Sequence, residues 1–590
     1  MNTSGGKQQT ISWIILGTCL VFILRLFYLQ VIDDSYKTSA ENNSQRRVTQ
    51  YPARGLILDR YGKEIVTNQA AYDLMVTPVQ TGKFDTLELC RILEVPIEQA
   101  RTSLRAARKY SRYKPSLFQS QLSAETYAAL QEKLYRFPGF FVQPRTLRHY
   151  VLPIAPHVLG YVGEVDGNVI EKDPYYKMGD YIGITGIEKA YEKELRGRKG
   201  VKIMLVDVHN VVKGSFQGGE YDTTAVAGRD LTCTLDRDLQ YYAETLMRKM
   251  RGSVVAIEPS TGEILALVSM PMYDPSLLVG RGRSAQFSRL NANPDVPLLN
   301  RATNARYPPG STFKPVQALV CLQMGGITEH SLFPCNGKNT SPIRCSHSHG
   351  SPVSLLEALE QSCNPYFWGA FRTTLEMGGP GQFKENFRRW RELVMSFGLG
   401  SPLETDLPNI LAGNIPSEQY FNRYFGENGW RPMTIRSLSI GQGEILVTPL
   451  QLANLCAIIS NKGYYYPPHT VRHPEFEHRI ETKVDQKYFD LIVEGMFRVL
   501  ESGTARAHRF EGIELCGKTG TAENGNEDHS LFMGFAPRKN PKIAIAVVVE
   551  NAGFGSTWAA PIASLLVEKY LTGKTERPWI EERLTSFGKY

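Results

Sequence analysis

The sequence lacks several features that would assign it to a simple class. It has no internal repeat, no low-complexity tract and no block of Lys and Arg residues, although its formal net charge is +8 over 590 residues. Such a charge suits an anionic polymer or a membrane surface, but without a basic block it does not indicate a nucleic-acid-binding patch. Charged residues make up 21% and hydrophobic residues 42% of the chain, which argues against wholesale disorder. The length predicts two or three domains.

Long apolar runs are also scarce, and one of them is distinctive. Residues 11–32 are apolar except for Arg25 and Gln30, and they are long enough to cross a bilayer. The run leads into Asp33 and Asp34 and not into a small-residue cleavage site. It therefore predicts an uncleaved transmembrane anchor and not a signal peptide.

The residues around this run predict its orientation. Lys7 precedes it and two aspartates follow it, so the positive-inside rule places residues 1–10 in the cytoplasm and the bulk of the chain outside. Arg25 is costly at mid-membrane. It either extends its side chain to the interface or pairs with a transmembrane helix of a partner.

The apolar pattern after residue 229 predicts an α+β domain. Two apolar runs at 253–257 and 264–268 flank Pro259-Ser260-Thr261-Gly262, which indicates a β-hairpin. Near the other end, residues 543–549 form a continuous apolar run that is typical of a buried strand. Strands at both ends with helical patterns between them predict a central antiparallel sheet packed by helices.

Three short motifs carry the chemistry of this domain. In chain order they are Ser311-Thr312-Phe313-Lys314, Ser362-Cys363-Asn364 and Lys518-Thr519-Gly520-Thr521. Together they supply a serine nucleophile, a lysine one helical turn away, a second hydroxyl and a cationic strand. No one of these motifs is specific alone.

The first motif predicts an activated serine at the start of a helix. Ser311 and Lys314 are three residues apart and share a helix face, and Pro315 is tolerated only in a first turn. A lysine that loses its proton on burial is a suitable base for the serine. For this motif by itself, a helix cap with a solvated lysine is the simpler interpretation.

The second motif follows a predicted helix and precedes Pro365. The Ser362 hydroxyl is suited to pass a proton to the leaving amine, and Asn364 to hold either the substrate backbone or Lys314.

The third motif overlaps a phosphate-loop pattern, because residues 512–519 match G-x-x-x-x-G-K-[ST]. That loop requires a helix directly after it, and residues 520–526 cannot open one. We therefore expect an edge strand and no bound nucleotide. On a strand, Lys518, Thr519 and Thr521 present a cation and two hydroxyls to a substrate carboxylate.

With these motifs the chain resembles the class B penicillin-binding proteins, which are membrane-anchored peptidoglycan D,D-transpeptidases. The resemblance covers nearly everything after residue 10. Further matching segments are Arg54-Gly55 to Gly62, His157 to Gly163, Gly183 to Gly197, Asn300-Arg301-Ala302, Ile440 to Ala453 and His529 to Pro537. Tyr307 to Pro315 is closer to the elongation enzymes, the penicillin-binding protein 2 group, than to the division enzymes. Leu531 departs from the family, which usually has Trp there.

The resemblance implies a division of the chain. It comprises a cytoplasmic tail at 1–10, the anchor at 11–32, a non-catalytic pedestal of the dimerisation type at 33–226, a penicillin-binding or serine β-lactamase-like transpeptidase domain at 227–575, and a tail at 576–590. It also implies a single-pass protein of the bacterial inner membrane with a periplasmic catalytic domain.

The implied reaction assigns a role to each motif residue. Ser311 attacks the penultimate D-Ala carbonyl of a pentapeptide stem, Lys314 is the base and Ser362 relays the proton, with Asn364 beside them. Backbone N–H groups of Ser311 and Thr521 form the oxyanion hole. The strand of Lys518, Thr519, Gly520 and Thr521 binds the terminal carboxylate. β-Lactams mimic the D-Ala-D-Ala end and trap Ser311, and the chemistry needs no cofactor.

The family also implies partners. The chain has no transglycosylase domain, so glycan polymerisation is expected from a SEDS-family glycosyltransferase of the RodA type, with elongation proteins such as MreC. The alternatives are a division-specific transpeptidase, an inactive cell-wall scaffold and a β-lactamase, which is smaller and secreted. A β-lactam-sensing receptor would need a cytoplasmic signalling part that ten residues cannot supply.

The cysteines raise a separate question. The chain has nine, and Cys335-x9-Cys345-x3-His349-x13-Cys363 offers four soft ligands for a tetrahedral zinc. Some family members resemble this, with a structural zinc beside the second motif. A Cys335–Cys345 disulfide or free thiols are the alternatives. A zinc ion would pin the catalytic loop, because Cys363 lies inside the second motif.

Overall fold

The computed structural model describes residues 4–28, 45–207, 212–280, 282–525 and 527–586. The strands in this part of the chain are β1 Gln45–Gln50, β2 Ile57–Leu58, β3 Glu64–Val76, β4 Ser116–Leu122, β5 Phe140–Tyr150, β6 Val162–Glu164, β7 Tyr181–Gly183, β8 Gly200–Val206, β9 Val212–Ser215, β10 Leu231–Thr232, β11 Gly252–Ile257, β12 Ile264–Met270, β13 Tyr464–Tyr465, β14 Ile480–Glu481, β15 Cys516–Ala522, β16 His529–Ala536 and β17 Ile543–Val549.

The helices in the same ranges are α1 Ser4–Phe27, α2 Thr86–Leu93, α3 Ile97–Tyr110, α4 Ala124–Gln131, α5 Pro156–Leu159, α6 Gly167–Lys172, α7 Gly186–Ala190, α8 Glu192–Leu195, α9 Arg237–Met247, α10 Arg283–Asn291, α11 Arg301–Asn304, α12 Lys314–Met324, α13 Leu355–Glu360, α14 Asn364–Glu376, α15 Phe383–Met395, α16 Glu418–Phe425, α17 Pro449–Ser460, α18 Phe489–Glu501, α19 Ala559–Thr572 and α20 Pro578–Ser586.

The first helix, α1, has the length and apolar character of a membrane span. Residues 10–27 form its apolar part, and none of that stretch is buried within the protein. The helix therefore fits a single-pass membrane anchor. Arg25 lies 5.4 Å from the centroid of the Tyr28 ring, close enough for a cation–π contact. The predicted anchor at 11–32 extends past this helix, and residues 29–32 lie outside the described residues.

The chain forms two compact units. One comprises residues 1–55, 68–147 and 196–229, and the other comprises residues 56–67, 148–195 and 230–590. The division predicted from the sequence instead treats 33–226 as one pedestal and 227–575 as the catalytic domain, and its boundaries stay a prediction. Segments within the predicted pedestal belong by their contacts to the catalytic unit.

The first unit contains an antiparallel sheet and a small helical core. Strands β1, β8 and β9 pair in the order β1-β8-β9. The later part of β3 pairs with β4, next to α2, α3 and α4. The buried side chains of this core are Leu74, Val76, Leu89, Leu93, Phe118, Leu122, Leu130 and Phe137.

The second unit is built on a five-stranded antiparallel sheet in the order β12-β11-β17-β16-β15. Successive residues of each strand point to opposite faces, so β17 places Ile545 and Val547 in one core and Ala546 and Val548 in the other. Helices α9 and α19 cover the first face and α17 the second. The predicted hairpin, the predicted buried strand and the α+β class are confirmed.

A short segment, residues 56–67, belongs to this second unit through a tight turn. Asp59 Oδ1 accepts hydrogen bonds from the backbone N–H groups of Tyr61, at 2.9 Å, and Lys63, at 2.8 Å. The neighbouring Arg60 forms an ion pair with Glu258 at 2.7 Å. The segment Arg54 to Gly62, which resembles the family, therefore contacts the catalytic unit through Arg60.

A second segment, residues 148–195, belongs to the same unit and contains a buried ion pair. Arg148 Nε lies 2.6 Å from Glu188 Oε1, and their side chains are only 3% and 0% exposed. Because both groups are removed from water, the ion pair helps to offset the cost of burying their charges. Nearby, Tyr191 donates a hydrogen bond to Asp406 at 3.0 Å.

Removing one member of this pair should destabilise the catalytic unit strongly. We expect Glu188→Ala to lower the free energy of unfolding by about 3–5 kcal/mol, because it leaves the Arg148 guanidinium buried without that carboxylate. Denaturant titration of the full chain in detergent measures the change. The control is Glu376→Ala, which removes a carboxylate from an exposed pair with Arg372 and should cost less than about 1 kcal/mol. Equal losses in both variants would contradict this account of the buried pair.

Candidate active site

The first motif lies where a tight turn leads into a buried helix. Residues 310–313 form a 3-10 turn, and α12 begins at Lys314 with Pro315 in its first turn. Proline is tolerated there because the first helical N–H groups have no partner within the helix. Lys314 is fully buried. Ser311 is therefore placed on the turn before the helix, and not within it.

The second motif forms the turn between α13 and α14. Ser362 adopts a left-handed backbone conformation, with φ of +55°. This region is unfavourable for a residue with a Cβ atom, and a strained backbone of this kind concentrates at functional sites. Asn364 is the first residue of α14.

The third motif lies on β15, an edge strand of the five-stranded sheet. Lys518 pairs with Met533 and Thr521 with Ser530 in an antiparallel register with β16. No helix follows β15 directly, so this segment is not a phosphate-binding loop.

The three motifs meet at the Ser362 hydroxyl. Lys314 Nζ donates to the Ser362 carbonyl at 2.7 Å, to Ser362 Oγ at 3.1 Å and to Asn364 Oδ1 at 2.7 Å. Lys518 Nζ lies 2.9 Å from the same Ser362 Oγ. The Ser362 hydroxyl thus lies between two amines that come from elements more than 200 residues apart.

Both lysines are buried, and burial disfavours their charged forms. It lowers the pKa of Lys314 to about 7. Burial, and then the charge of Lys314, lowers the pKa of Lys518 well below its ordinary value. Within the described residues neither amine forms an ion pair with a carboxylate. Near neutral pH a large fraction of Lys314 is therefore uncharged and able to accept a proton.

Ser311 opens onto a cleft of about 810 Å³. The same cleft is lined by Ser362, Asn364, Thr519 and Thr521, so residues of all three motifs face one space. Within the described residues, Ser311 Oγ makes no hydrogen bond. Catalytic hydrogen bonds are often long before a substrate binds.

Two glycines allow the nucleophile turn to approach the third motif closely. A Cβ atom on Gly310, which has φ of +53°, would lie 2.5 Å from the Thr521 carbonyl oxygen. A Cβ atom on Gly520 would lie 2.8 Å from Thr312 Cγ2. Any larger side chain at either position would push Ser311 away from β15.

The structure adds two residues that the sequence interpretation did not assign to the site. Gln442 Nε2 donates to the Thr521 carbonyl at 3.1 Å, and the Thr504 and Thr519 hydroxyls lie 2.7 Å apart. Gln442 stands between two glycines that both have positive φ, Gly441 and Gly443. That Gly-Gln-Gly pattern is a turn signal in the sequence, whereas nothing local marks Thr504.

The predicted metal ligands come together next to the second motif. One ligand atom from each of Cys335, Cys345, His349 and Cys363 lies within 4.8 Å of the others. His349 Nε2 is 3.7 Å from Cys335 Sγ and 3.3 Å from Cys345 Sγ. A tetrahedral zinc with bonds of about 2.3 Å to sulfur and 2.0 Å to nitrogen separates its ligand atoms by roughly 3.5–3.8 Å. The four side chains are therefore compatible with a zinc site.

The thiol chemistry of this cluster also suits a metal. All three cysteines are free thiols, and Cys335 and Cys345 form no disulfide. A hydrogen bond from Cys363 lowers the pKa of the Cys345 thiol. A thiolate, and not a thiol, is the form that binds a metal.

Two family models match the chain in succession. The "Penicillin-binding Protein dimerisation domain" matches residues 49–233, and the "Penicillin binding protein transpeptidase domain" matches residues 252–568. The second match contains all three motifs and all four cluster residues.

Named relatives agree with these models. The chain is 32% identical to "Peptidoglycan D,D-transpeptidase MrdA" of Acinetobacter baumannii, over 95% of this chain and 86% of that protein. It is similar to the penicillin-binding protein PBP2 in a complex with MreC from Helicobacter pylori, with a TM-score of 0.75, 25% identity and coverage of 90% and 99% of the two chains.

The chain is also similar to a solved structure described as "Structural coordination of polymerization and crosslinking by a peptidoglycan synthase complex". The TM-score is 0.71 and the identity 25%, and the match covers 97% of this chain and 99% of that one. The resemblance inferred from the motifs is confirmed, and the chain belongs to the class B penicillin-binding proteins of the penicillin-binding protein 2 type.

Proposed function

We propose that this chain is a peptidoglycan D,D-transpeptidase of cell elongation that works through an acyl-enzyme on Ser311. The observation that carries the proposal is the meeting of the three motifs in one cleft, around two buried lysines that share the Ser362 hydroxyl. The similarity to proteins named peptidoglycan D,D-transpeptidase supplies the substrate class.

The first half of the reaction forms the acyl-enzyme. Ser311 Oγ attacks the penultimate D-Ala carbonyl of a donor stem peptide, and neutral Lys314 takes the serine proton. The peptide C–N bond then breaks, and an ester to Ser311 forms. The proton reaches the leaving amine through Ser362, whose hydroxyl lies 3.1 Å from the lysine amine, and D-Ala departs.

The strand of the third motif holds the donor and its transition state. Backbone N–H groups of Ser311 and Thr521 face the developing oxyanion. Lys518, with the hydroxyls of Thr519 and Thr521, binds the terminal carboxylate. Gly520 is the position where the strand must remain without a side chain, because a Cβ there would strike Thr312.

The second half transfers the acyl group. An amine from a neighbouring stem peptide attacks the ester carbonyl, the bond to Ser311 breaks, and a new amide cross-links the two stems. Lys314 takes the proton that the attacking amine loses and returns it to the Ser311 oxygen. A β-lactam enters as a mimic of the D-Ala-D-Ala end and remains on Ser311 because its leaving group stays attached.

The location and partners follow from the anchor and the relatives. We place the predicted anchor at residues 11–32 in the bacterial inner membrane, with residues 1–10 in the cytoplasm and the catalytic unit in the periplasm. A SEDS-family glycosyltransferase of the RodA type would supply glycan strands, as the synthase-complex similarity supports. The similarity to a PBP2 in complex with MreC supports an elongation partner of that kind.

A structural zinc ion is the proposed occupant of the cysteine–histidine cluster. Cys335, Cys345, His349 and Cys363 would hold it as a closed four-ligand site that leaves no position for a substrate. Its contribution would be structural cross-linking of the loop. Since Cys363 separates Ser362 from Asn364, fixing its sulfur also fixes both partners of Lys314.

The nucleophile assignment predicts a covalent adduct. Full-length protein incubated with a penicillin should gain the mass of one inhibitor, and Ser311→Ala should not, as measured by intact mass spectrometry. Ser346→Ala is the matched control, because Ser346 lines the same cleft, and it should keep the adduct. No adduct on the parent protein would indicate an inactive scaffold, and rapid loss of the adduct would indicate a β-lactamase.

The base assignment predicts a pH profile. The rate of penicillin acylation should rise with pH through an apparent pKa near 7, because Lys314 must be neutral to accept the serine proton. His347 is another titratable side chain that lines the same cleft. His347→Gln is therefore the control and should retain the rising limb. If that variant loses the limb, the base assignment is wrong.

The metal assignment predicts one zinc per chain. Elemental analysis of the purified full-length protein should find it, and Cys345→Ser should remove it because three ligands bind far more weakly. Cys90→Ser, which removes a buried thiol of the other unit, should keep the metal. Protein without zinc but with a mass lower by two hydrogens would instead identify the Cys335–Cys345 disulfide.

A further inference from the structure

The proposed chemistry leaves the basic residues of the cleft without a role. Besides the motif residues, the cleft is lined by Lys338, Arg344, Arg506 and Arg583. Arg583 donates to the Thr557 carbonyl at 3.0 Å. In the described part of the chain, the side chains of the other three form no hydrogen bond and no ion pair. These three are exposed cations beside a site that must bind an anionic peptide.

Two of the three cations lie on the loop that is tied to the second motif. The Arg344 carbonyl accepts a hydrogen bond from Asn364 Nδ2 at 3.1 Å. The N–H of the next residue, Cys345, donates to the Gly337 carbonyl at 3.1 Å, which closes the loop around Lys338. The backbone of both cations therefore has a fixed position relative to the catalytic asparagine.

Asn364 also connects this loop to the reaction centre. Its Oδ1 accepts from Lys314, while its Nδ2 donates to the Arg344 carbonyl. The backbone of Arg344 is thus connected to the Lys314 amine through the Asn364 side chain. The third motif, which binds the C-terminal carboxylate in the proposed function, contacts the centre through Ser362 instead.

The acidic residues of the cleft lie on a different segment from Lys338 and Arg344. Glu523 and Asp528 follow β15 on the connection to β16, and neither forms an ion pair with Lys338 or Arg344. The cations on the loop are therefore not neutralised by the protein among the described residues. A carboxylate of the substrate is the group that such cations would bind.

We propose that Arg344 and Lys338 form a subsite for a second carboxylate of the donor peptide, on the N-terminal side of the scissile bond. This inference rests on the proposed function and names a feature of its substrate. The planar guanidinium of Arg344 can hold a carboxylate with two parallel hydrogen bonds, and the Lys338 ammonium adds a point charge. Donor stems with a free carboxylate at that position are then preferred over stems in which it is amidated.

The test compares two pentapeptide stems that differ in one group. Both end in D-Ala-D-Ala, and the α-carboxyl of the γ-linked D-glutamate is free in one and an amide in the other. The readout is the ratio of kcat/KM for D-Ala release from the two stems by the full-length protein in detergent. We expect the parent protein to prefer the free acid by roughly tenfold to a hundredfold, the range for hydrogen bonds to a charged group.

The variants distinguish a local carboxylate subsite from an effect of the overall charge of the cleft. Arg344→Gln should bring the ratio close to one, mainly through KM, and Lys338→Gln should reduce it by a smaller factor. Arg506→Gln is the matched control, because it removes the same charge from the same cleft on a different segment, and it should retain the ratio. Using a ratio within each variant cancels any general loss of activity.

Two outcomes would overturn the proposal. One is a ratio near one in the parent protein, and the other is an equal loss in the Arg344→Gln and Arg506→Gln variants, which would indicate only the overall charge of the cleft. Penicillin acylation of the same samples distinguishes the failures. A normal adduct with no carboxylate preference rejects the subsite alone, whereas no adduct on the parent rejects the proposed function with it.

Discussion

Burial of the Lys314 amine without a carboxylate partner is the constraint on which the site depends. A charged amine in that position is costly, and the fold compensates with three oxygen acceptors from the second motif. Two of these acceptors belong to Ser362, whose backbone is in the left-handed conformation at φ of +55°. The aromatic ring of Phe367, 5.4 Å from the amine, completes the enclosure. The result is a lysine that is held in place and easily deprotonated.

Burial of the two lysine amines also requires a rigid support. Two buried amines beside one hydroxyl repel each other when both are charged, and that arrangement persists only on a rigid support. The support comes from β15 at the sheet edge and α12 beneath the nucleophile turn, with apolar cores on both faces of the sheet. Close approach of the turn and the strand, which Gly310 and Gly520 allow, fixes the remaining distance.

The loop between Cys335 and His349 connects the cluster chemistry to the cleft. Its sulfur and imidazole atoms gather around Cys363, and its Arg344 carbonyl binds the Asn364 amide. One short segment therefore contacts Cys363 and Asn364 of the second motif and also contributes Lys338 and Arg344 to the cleft wall. The predicted metal ligands and the proposed substrate contacts therefore lie on the same segment of backbone.

The sequence by itself determined the class of the fold and the chemistry of the site. The run of residues 543–549 indicated a buried strand, and Pro315 limited the helix start to within a residue or two. A phosphate-binding loop must lead into a helix, and the local backbone preferences of the residues after Lys518 do not allow a helix to begin. The sequence therefore excluded such a loop.

Only the tertiary structure decided which distant groups meet. The contacts of Thr504 and Gln442 with β15 join segments that no local pattern connects, and the same is true of segments 56–67 and 148–195, which belong to the catalytic unit. The pKa of Lys314 is likewise a tertiary property, because it follows from the enclosure of the amine by elements distant in the chain. Local preference is encoded residue by residue, whereas burial and long-range contact exist only once the whole core has formed.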